Sequence, residues 1–280
     1  MTAVSHSDDG IDVGGLWTYR WAASRRPHIH PVRTPSGHVL TRDAPDDHPW
    51  HHALWFTIKF VNEENFWEEY DEYGVLVHDG APSVVEAAGG VVALQGMLRW
   101  IRPDRSTVAL VEERTLTHVP LGPDAYAIDL DTTLVPTADS RFDRTPFTTW
   151  GGYGGLTVRG AGDWTDTTLM LDDGSTHERV LGDASRWCDL TGTPPGGGDP
   201  AGIALLDHPG NGRHPVPWYA STRADTYGDD GWSNFLNAAF LWHDGLEVPA
   251  GQPLRVRHRV VVHDGAWDAD RIQAAWADLA

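Results

Sequence analysis

Residues 125–135 read AYAIDLDTTLV and residues 253–263 read PLRVRHRVVVH. In the first, Tyr126, Ile128, Leu130, Thr132 and Leu134 alternate with Asp129, Asp131 and Thr133. In the second, Leu254, Val256, His258, Val260 and Val262 alternate with Arg255, Arg257 and Arg259. Side chains alternate between the two faces of a strand, so this period of two predicts strands with one buried and one wet face. Similar apolar runs recur at ALWFTIKFV (53–61), VVALQGMLRWI (91–101), TVALVEERTLTHV (107–119), GLTVRG (155–160), AGIALLDH (201–208) and NAAFLWH (237–243). Gly, Pro, Asn and Asp separate them, as turns require. A sheet system of this size exposes an apolar face unless a second sheet covers it. The expected fold is therefore all-β, a large antiparallel β-sandwich.

One helix is expected, at the C-terminal end of the sequence. In DADRIQAAWADLA, Ile272, Ala275, Trp276 and Leu279 share one helical face, and Asp268 is placed to cap the first turn. The stretch TGTPPGGGDPAG (191–202) is too rich in Gly and Pro for regular structure and reads as a loop or lid. No linker or internal repeat divides the 280 residues, so residues 1–280 read as a single domain.

Composition narrows the function. The formal charge is −19, and Lys59 is the only lysine among 21 basic residues. An acidic surface repels phosphate backbones and anionic lipid, so neither nucleic acid nor membrane is an expected partner. No apolar run approaches the length needed to cross a bilayer. Cys188 stands alone, which leaves no disulfide framework. The stretch MTAVSHSDDGIDVGG lacks the basic and apolar regions of a secretory signal, so the expected location is the cytoplasm.

The polar residues cluster. DDHPWHH (46–52) holds His48, His51 and His52 around Pro49. If 49–52 forms a helical turn, the three rings fall on one side, with Asp46 and Asp47 orienting them. Three readings stay open there: acid–base and hydrogen-bonding groups for a polar ligand, a capped structural loop, or a metal held by imidazoles. The spacing matches no metal motif, and neither metal nor cofactor is assigned. Upstream, RPHIHPVRTPSGH (26–38) supplies His28, His30 and Arg33. Downstream, VNEENFWEEY (61–70) sets Trp67 beside Glu68 and Glu69. TTWGGYGGLTVRG (148–160) crowds glycines around Tyr153 and ends near Arg159. LLDHPGNGRHPVPWY (205–219) gathers Asp207, His208 and Trp218. The chain has 14 tryptophans. Flat aromatic faces stack on sugar rings while carboxylates, imidazoles and arginines take the hydroxyls, so the combination points to a carbohydrate.

The blocks HPVRTPSGHVLTRDAPDDHPWHHALWF, NFWEE, TWGGYGGLTVRG, GIALLDHPGNGRHPVPWY and VRHRVVVHDG, in that order, resemble the bacterial PmoA-like family. The methane-oxygenase label attached to that family describes a bilayer-spanning subunit, which this chain does not resemble. The resemblance implies a β-sandwich of the galactose-mutarotase type and a partnership with sugar-type NAD-dependent oxidoreductases. It carries His30, His48, His51, His52, Trp67, Tyr153, Arg159, Asp207, His208 and Trp218 into matching positions. His28 stands where the family has an aromatic residue, and Ala53 where glycine is familiar. The expected catalytic groups are His48, His51, His52 and Glu68. The expected substrate contacts are His30, Arg33, Trp67, Tyr153, Arg159, Asp207, His208 and Trp218. The expected substrate is a sugar or oxidised sugar, transformed by an epimerase, mutarotase or glycoside-cleaving reaction. The alternatives are a non-catalytic sugar carrier for an oxidoreductase and a histidine-ligated metal enzyme.

Overall fold

The computed structural model describes residues 2–22, 25–145, 152–222 and 234–279. Strands dominate, and among the described residues the sole α-helix is Ala269–Ala277. Two large antiparallel sheets face each other. One has ten strands, with Trp187–Thr193, Ala201–Asp207, Leu254–Asp264, Ala125–Pro136, Val108–Pro120 and Val92–Ile101 side by side through its centre. The other has nine and runs, in order, Val4–His6, Gly10–Val13, Trp17–Arg20, His28–Val32, Leu54–Thr57, Gly155–Arg159, Phe235–Ala238, Pro217–Ser221 and Arg179–Ala184. A small four-stranded sheet lies apart.

The alternation read in 125–135 and 253–263 is what joins the layers. Ile128 pairs with Val260 and Leu130 with His258 in adjacent antiparallel strands. Tyr126, Ile128, Leu130, Leu134, Val256, Val260 and Val262 all enter the main core. The facing sheet contributes Leu54, Phe56, Leu156, Val158, Trp218 and Leu236 to that core. Each such side chain stabilises the fold by roughly 1.5–3 kcal/mol through the apolar area it removes from water. The opposite face of the ten-stranded sheet is covered by the helix, where Ile272 and Ala275 pack on Ala127, Ala204, Leu206 and Val261. Asp268 caps that helix, its carboxylate accepting from the Arg271 N–H at 2.9 Å.

The core also holds an ion pair. Glu112 and Arg114 lie two residues apart between Leu110 and Leu116, share their face of the strand and so point inward between the sheets. The Glu112 carboxylate accepts from Arg114 Nε at 2.6 Å, Thr132 Oγ1 at 2.6 Å and Trp100 Nε1 at 2.8 Å. Arg114 also reaches the Tyr19 hydroxyl of the other sheet at 3.3 Å.

Three local expectations need correction. The run 53–61 is split: Leu54–Thr57 belongs to the nine-stranded sheet and Phe60–Val61 to the small one, and between them Lys59 pairs with Glu68. The strand expected at 237–243 is Phe235–Ala238, and a turn follows it, closed by Trp242 N–H donating to Ala239 O at 2.8 Å. The 191–202 stretch starts and ends inside strands, which leaves only 194–200 as loop.

Candidate functional site

Strand register places the site before any side chain is considered. His28 lies opposite Trp55, Trp55 opposite Thr157, Thr157 opposite Asn237, and Asn237 opposite Tyr219. Their neighbours along each strand, among them Ile29, Leu54, Val158 and Leu236, enter the main core. Period two therefore sends this whole row to the other face of the nine-stranded sheet, away from the sandwich interior. Trp55, Tyr219 and Phe235 form a second buried cluster there with Trp67, and Trp50, Tyr153 and Trp242 pack against it half-buried.

Polar side chains of the sheet hold the covering segments. Thr57 Oγ1 donates to Phe66 O at 2.9 Å, and Asn65 Oδ1 accepts from the Trp67 N–H at 2.8 Å. Asn237 Oδ1 accepts from the Gly154 N–H at 3.1 Å, which seats Tyr153 beside Trp67, ring centroids 4.8 Å apart. Glycine is required at 152, where φ is +92° and a Cβ would lie 2.0 Å from Trp242. Residues 148–151 of the glycine-rich segment lie outside the described residues.

The turn at 46–52 is real but does not put three imidazoles on one side. His51 N–H donates to His48 O at 2.9 Å, and the two rings stack at 4.6 Å. His52 leaves the turn as extended chain bridged to Asp43 and stacks instead on His28, at 4.7 Å. Ala53 then takes φ +55°, a left-handed conformation that returns the chain to the sheet.

Three charged groupings result. In the first, Asp47 Oδ2 accepts from His48 Nδ1 at 2.8 Å and from Arg159 Nη2 at 2.9 Å. Burial would raise the Asp47 carboxyl, but these two donors hold it below the ordinary carboxylate range. Asp46, by contrast, is exposed. In the second, Lys59 pairs with both oxygens of Glu68, and its Nζ lies 5.3 Å from the Tyr153 ring. Burial pulls the Lys59 amine down and Glu68 opposes it, leaving it below the usual lysine value. In the third, His52 Nδ1 lies 2.8 Å from Asp43 Oδ1 and its Nε2 lies 3.1 Å from Glu69 Oε2. His28 Nε2 lies 3.5 Å from that same Asp43 oxygen, and Arg26 Nε 3.6 Å from Glu69. Burial works against charge on His52, yet Asp43 and Glu69 outweigh it and hold the ring above the ordinary histidine value.

His51 differs. Rings of His48, Trp55, Trp67 and Phe235 surround it at centroid distances of 4.6–6.1 Å. Burial, reinforced by His48 and Arg159, keeps it neutral well below its usual value. It is part of the wall.

The expected site residues are therefore brought together only in part. His48, His51, His52, Trp67, Glu68, Tyr153 and Arg159 meet on this face. His30 lies at its edge, Nδ1 3.0 Å from Thr41 Oγ1, with burial pushing it down to about 4 against the pull of Asp43. Arg33 contributes backbone, its carbonyl accepting from the Tyr126 hydroxyl at 2.7 Å. Asp207, His208 and Trp218 belong elsewhere. Asp207 is buried in the ten-stranded sheet, bonded to His214 Nδ1 at 2.7 Å and the Val216 N–H at 3.0 Å, and it lines a separate cavity of about 160 Å³ with His258. His208 Nδ1 accepts from the Gly210 N–H at 2.8 Å. Trp218 lies in the main core, Nε1 donating to Ser185 O at 2.9 Å. Its strand neighbour Tyr219 is the residue that faces the site. Sequence reasoning also missed Arg26, Asp43 and the role of Glu69, and it set His28 aside.

A β-sheet face carrying a carboxylate- and imidazole-rimmed aromatic cluster is the class of site this fold defines. Residues 10–277 match the family of unknown function DUF6807, and the chain belongs to that family. The PmoA-like label has no support in the comparisons. No curated protein matches the chain. Among solved structures it is similar to an alpha-galactosidase from Lactobacillus brevis, at 10% identity over 95% of this chain and 40% of that one, with a TM-score of 0.34. The chain thus spans about two-fifths of that enzyme's length, and so distant a likeness carries no argument about activity. No helix among the described residues is long and apolar enough to cross a membrane.

Proposed function

We propose that the outer face of the nine-stranded sheet binds a sugar or oxidised sugar and transforms it by acid–base chemistry, of the epimerase, mutarotase or glycoside-cleaving kind. One observation carries the reading. Half-buried Trp50, Tyr153 and Trp242 edge a floor of buried rings, and the carboxylates Glu68 and Glu69 stand beside it, each 17% exposed. Apolar walls with a few convergent polar groups are the chemistry of a carbohydrate pocket. Of His48, His51 and His52, His48 is the most exposed, at 15%. It is the ring able to exchange a proton with a bound hydroxyl, with Asp47 fixing its tautomer. Glu68 and Glu69 supply the second carboxyl group that such reactions need. The two carboxylates differ in what holds them: Lys59 for Glu68, Arg26 and His52 for Glu69.

The test adds aldoses, ketoses and uronic acids and follows anomerisation or bond cleavage by NMR in wild type, Glu68→Gln, Glu69→Gln and His48→Ala. Losing a general acid or base lowers a rate about 10²–10⁴-fold, so at least one variant should fall by that factor. Equal rates in all four proteins would remove these side chains from the mechanism. Saturable binding without turnover would favour a sugar carrier instead, delivering its cargo to a sugar-type NAD-dependent oxidoreductase in the cytoplasm.

A further inference from the structure

We propose that His28, Asp43 and His52 bind one divalent first-row transition-metal ion through His28 Nε2, an Asp43 carboxylate oxygen and His52 Nδ1. The inference goes beyond sugar recognition and does not depend on it.

The three donor atoms all lie within 4.8 Å of one another. Asp43 Oδ1 is 2.8 Å from His52 Nδ1 and 3.5 Å from His28 Nε2. Donors bound at metal distances near 2.1 Å are about 3.0–3.4 Å apart, so the two edges through Asp43 bracket that spacing, each within about 0.2 Å of it. The remaining edge, between the two ring nitrogens, is at most 4.8 Å and must shorten when an ion binds.

The far nitrogen of each ring carries the stronger argument. His28 Nδ1 faces the Arg26 carbonyl at 3.2 Å, and a carbonyl can only accept. That nitrogen therefore holds the proton in the neutral ring, and the Nε2 lone pair points toward Asp43. His52 Nε2 faces Glu69 Oε2 at 3.1 Å, so a proton held there in the neutral ring frees Nδ1 to bind an ion beside the same Asp43 carboxylate. Two lone pairs aimed at one carboxylate oxygen repel unless a cation sits among them. Without an ion, a proton on His52 Nδ1 fills the Asp43 edge and still leaves the His28 lone pair facing that carboxylate, whereas protonating both rings would stack two imidazolium ions at 4.7 Å. Metal-binding histidines have this arrangement: one nitrogen on the ion, the other donating to a carbonyl or carboxylate. Here Arg26 O and Glu69 fill those outer roles, and the Arg26 guanidinium, 3.6 Å from Glu69, steadies the second.

The donor set selects the ion. Two imidazoles and one carboxylate suit zinc, cobalt, manganese or ferrous iron, not magnesium or calcium, which prefer all-oxygen sites. Both histidines are buried at 5% exposure or less, while Asp43 is 28% exposed, so solvent reaches the three donors from the Asp43 side.

Protein purified without a histidine tag and stripped with a chelator is titrated with Co²⁺ and Zn²⁺ by calorimetry, with Co²⁺ absorption reporting the ligand field. The expected result is one equivalent per chain at micromolar affinity or tighter, with Mg²⁺ at least a hundredfold weaker. His28→Ala and the near-isosteric Asp43→Asn should each weaken Co²⁺ binding at least thirtyfold, and Glu69→Gln, in an outer role, about 10–100-fold. His48→Ala, in the adjoining turn, should leave affinity within threefold. Circular dichroism verifies that each variant is folded, and Asp43→Asn decides the matter should a histidine variant unfold. Absence of a stoichiometric site, affinity unchanged in Asp43→Asn, or equal loss in His48→Ala would overturn the assignment.

Discussion

The Glu112–Arg114 pair gives the sharpest statement about stability. Glu112 is 0% and Arg114 3% exposed, so neither charge has water to return to. Glu112→Gln keeps the shape but only one acceptor oxygen, whereas Trp100 and Thr132 donate to different carboxylate oxygens, so one donor meets the amide NH2 and the Arg114 charge is left uncompensated in the core. Breaking a buried pair in this way costs about 3–5 kcal/mol. At about 2–4 °C per kcal/mol for a chain near this size, the melting temperature should fall by roughly 6–20 °C. Arg114→Met should cost a similar amount for the converse reason. The double variant removes both charges, so its loss should be smaller than the sum of the singles by at least about 2 kcal/mol. A control lies in the same sheet: Arg255 Nε bonds Asp131 at 2.8 Å, but the two side chains are 57% and 37% exposed. Asp131→Asn should change stability by less than about 1 kcal/mol. Urea unfolding followed by circular dichroism measures all four variants. If Glu112→Gln loses under about 1 kcal/mol, or the two core substitutions are additive, the charges are not coupled and the reasoning fails.

Other outcomes follow from single positions. Ala53 is fully buried at φ +55°, where a β-branched side chain is strongly disfavoured, so Ala53→Val should lower stability by more than about 2 kcal/mol in the same assay. Burial holds His118 down at about 4, so between pH 6.5 and 4 the unfolded chain binds a proton that the folded chain refuses. Stability is full above pH 6.5 and falls as pH drops through that window; His118→Gln should flatten the fall, and an unchanged pH profile would count against it. Lys59 is 4% exposed and paired with Glu68, so an amine-reactive reagent should label it slowly in native protein and readily in urea, as read by mass spectrometry. Equal labelling in both states would mean the lysine is open.

The sandwich was legible because its central strands write their faces into the sequence. The period of two puts Asp129 and Arg259 on the face opposite the core, and they pair there at 2.6 Å, but the helix covers that part of the face and leaves Arg259 only 6% exposed rather than wet. The helix was legible for the same reason, with Asp268 at its cap. Less of the site could be read. Histidine density marked 48–52, and the aromatic and acidic run marked 67–69. Partners depend on register and chain reversal, neither of which local composition records. Two adjacent acids point to different sides of an extended chain, so learning that Glu68 meets Lys59 while Glu69 meets His52 and Arg26 needed the fold. Trp218 and Tyr219 failed in the same way: one residue of register sends the indole to the core and the phenol to the site. Asp43 meets His52 through a bridge across a turn, and His28 arrives from a neighbouring strand by way of Trp55.

Calorimetric titration of a panel of aldoses, ketoses and uronic acids into wild type, Tyr153→Ala and His208→Ala puts the location of the binding face to a direct test. Saturable binding that falls at least tenfold in Tyr153→Ala and stays unchanged in His208→Ala is the expected result. Binding that survives loss of Tyr153 but vanishes with His208, or no binding to any member of the panel, would contradict it.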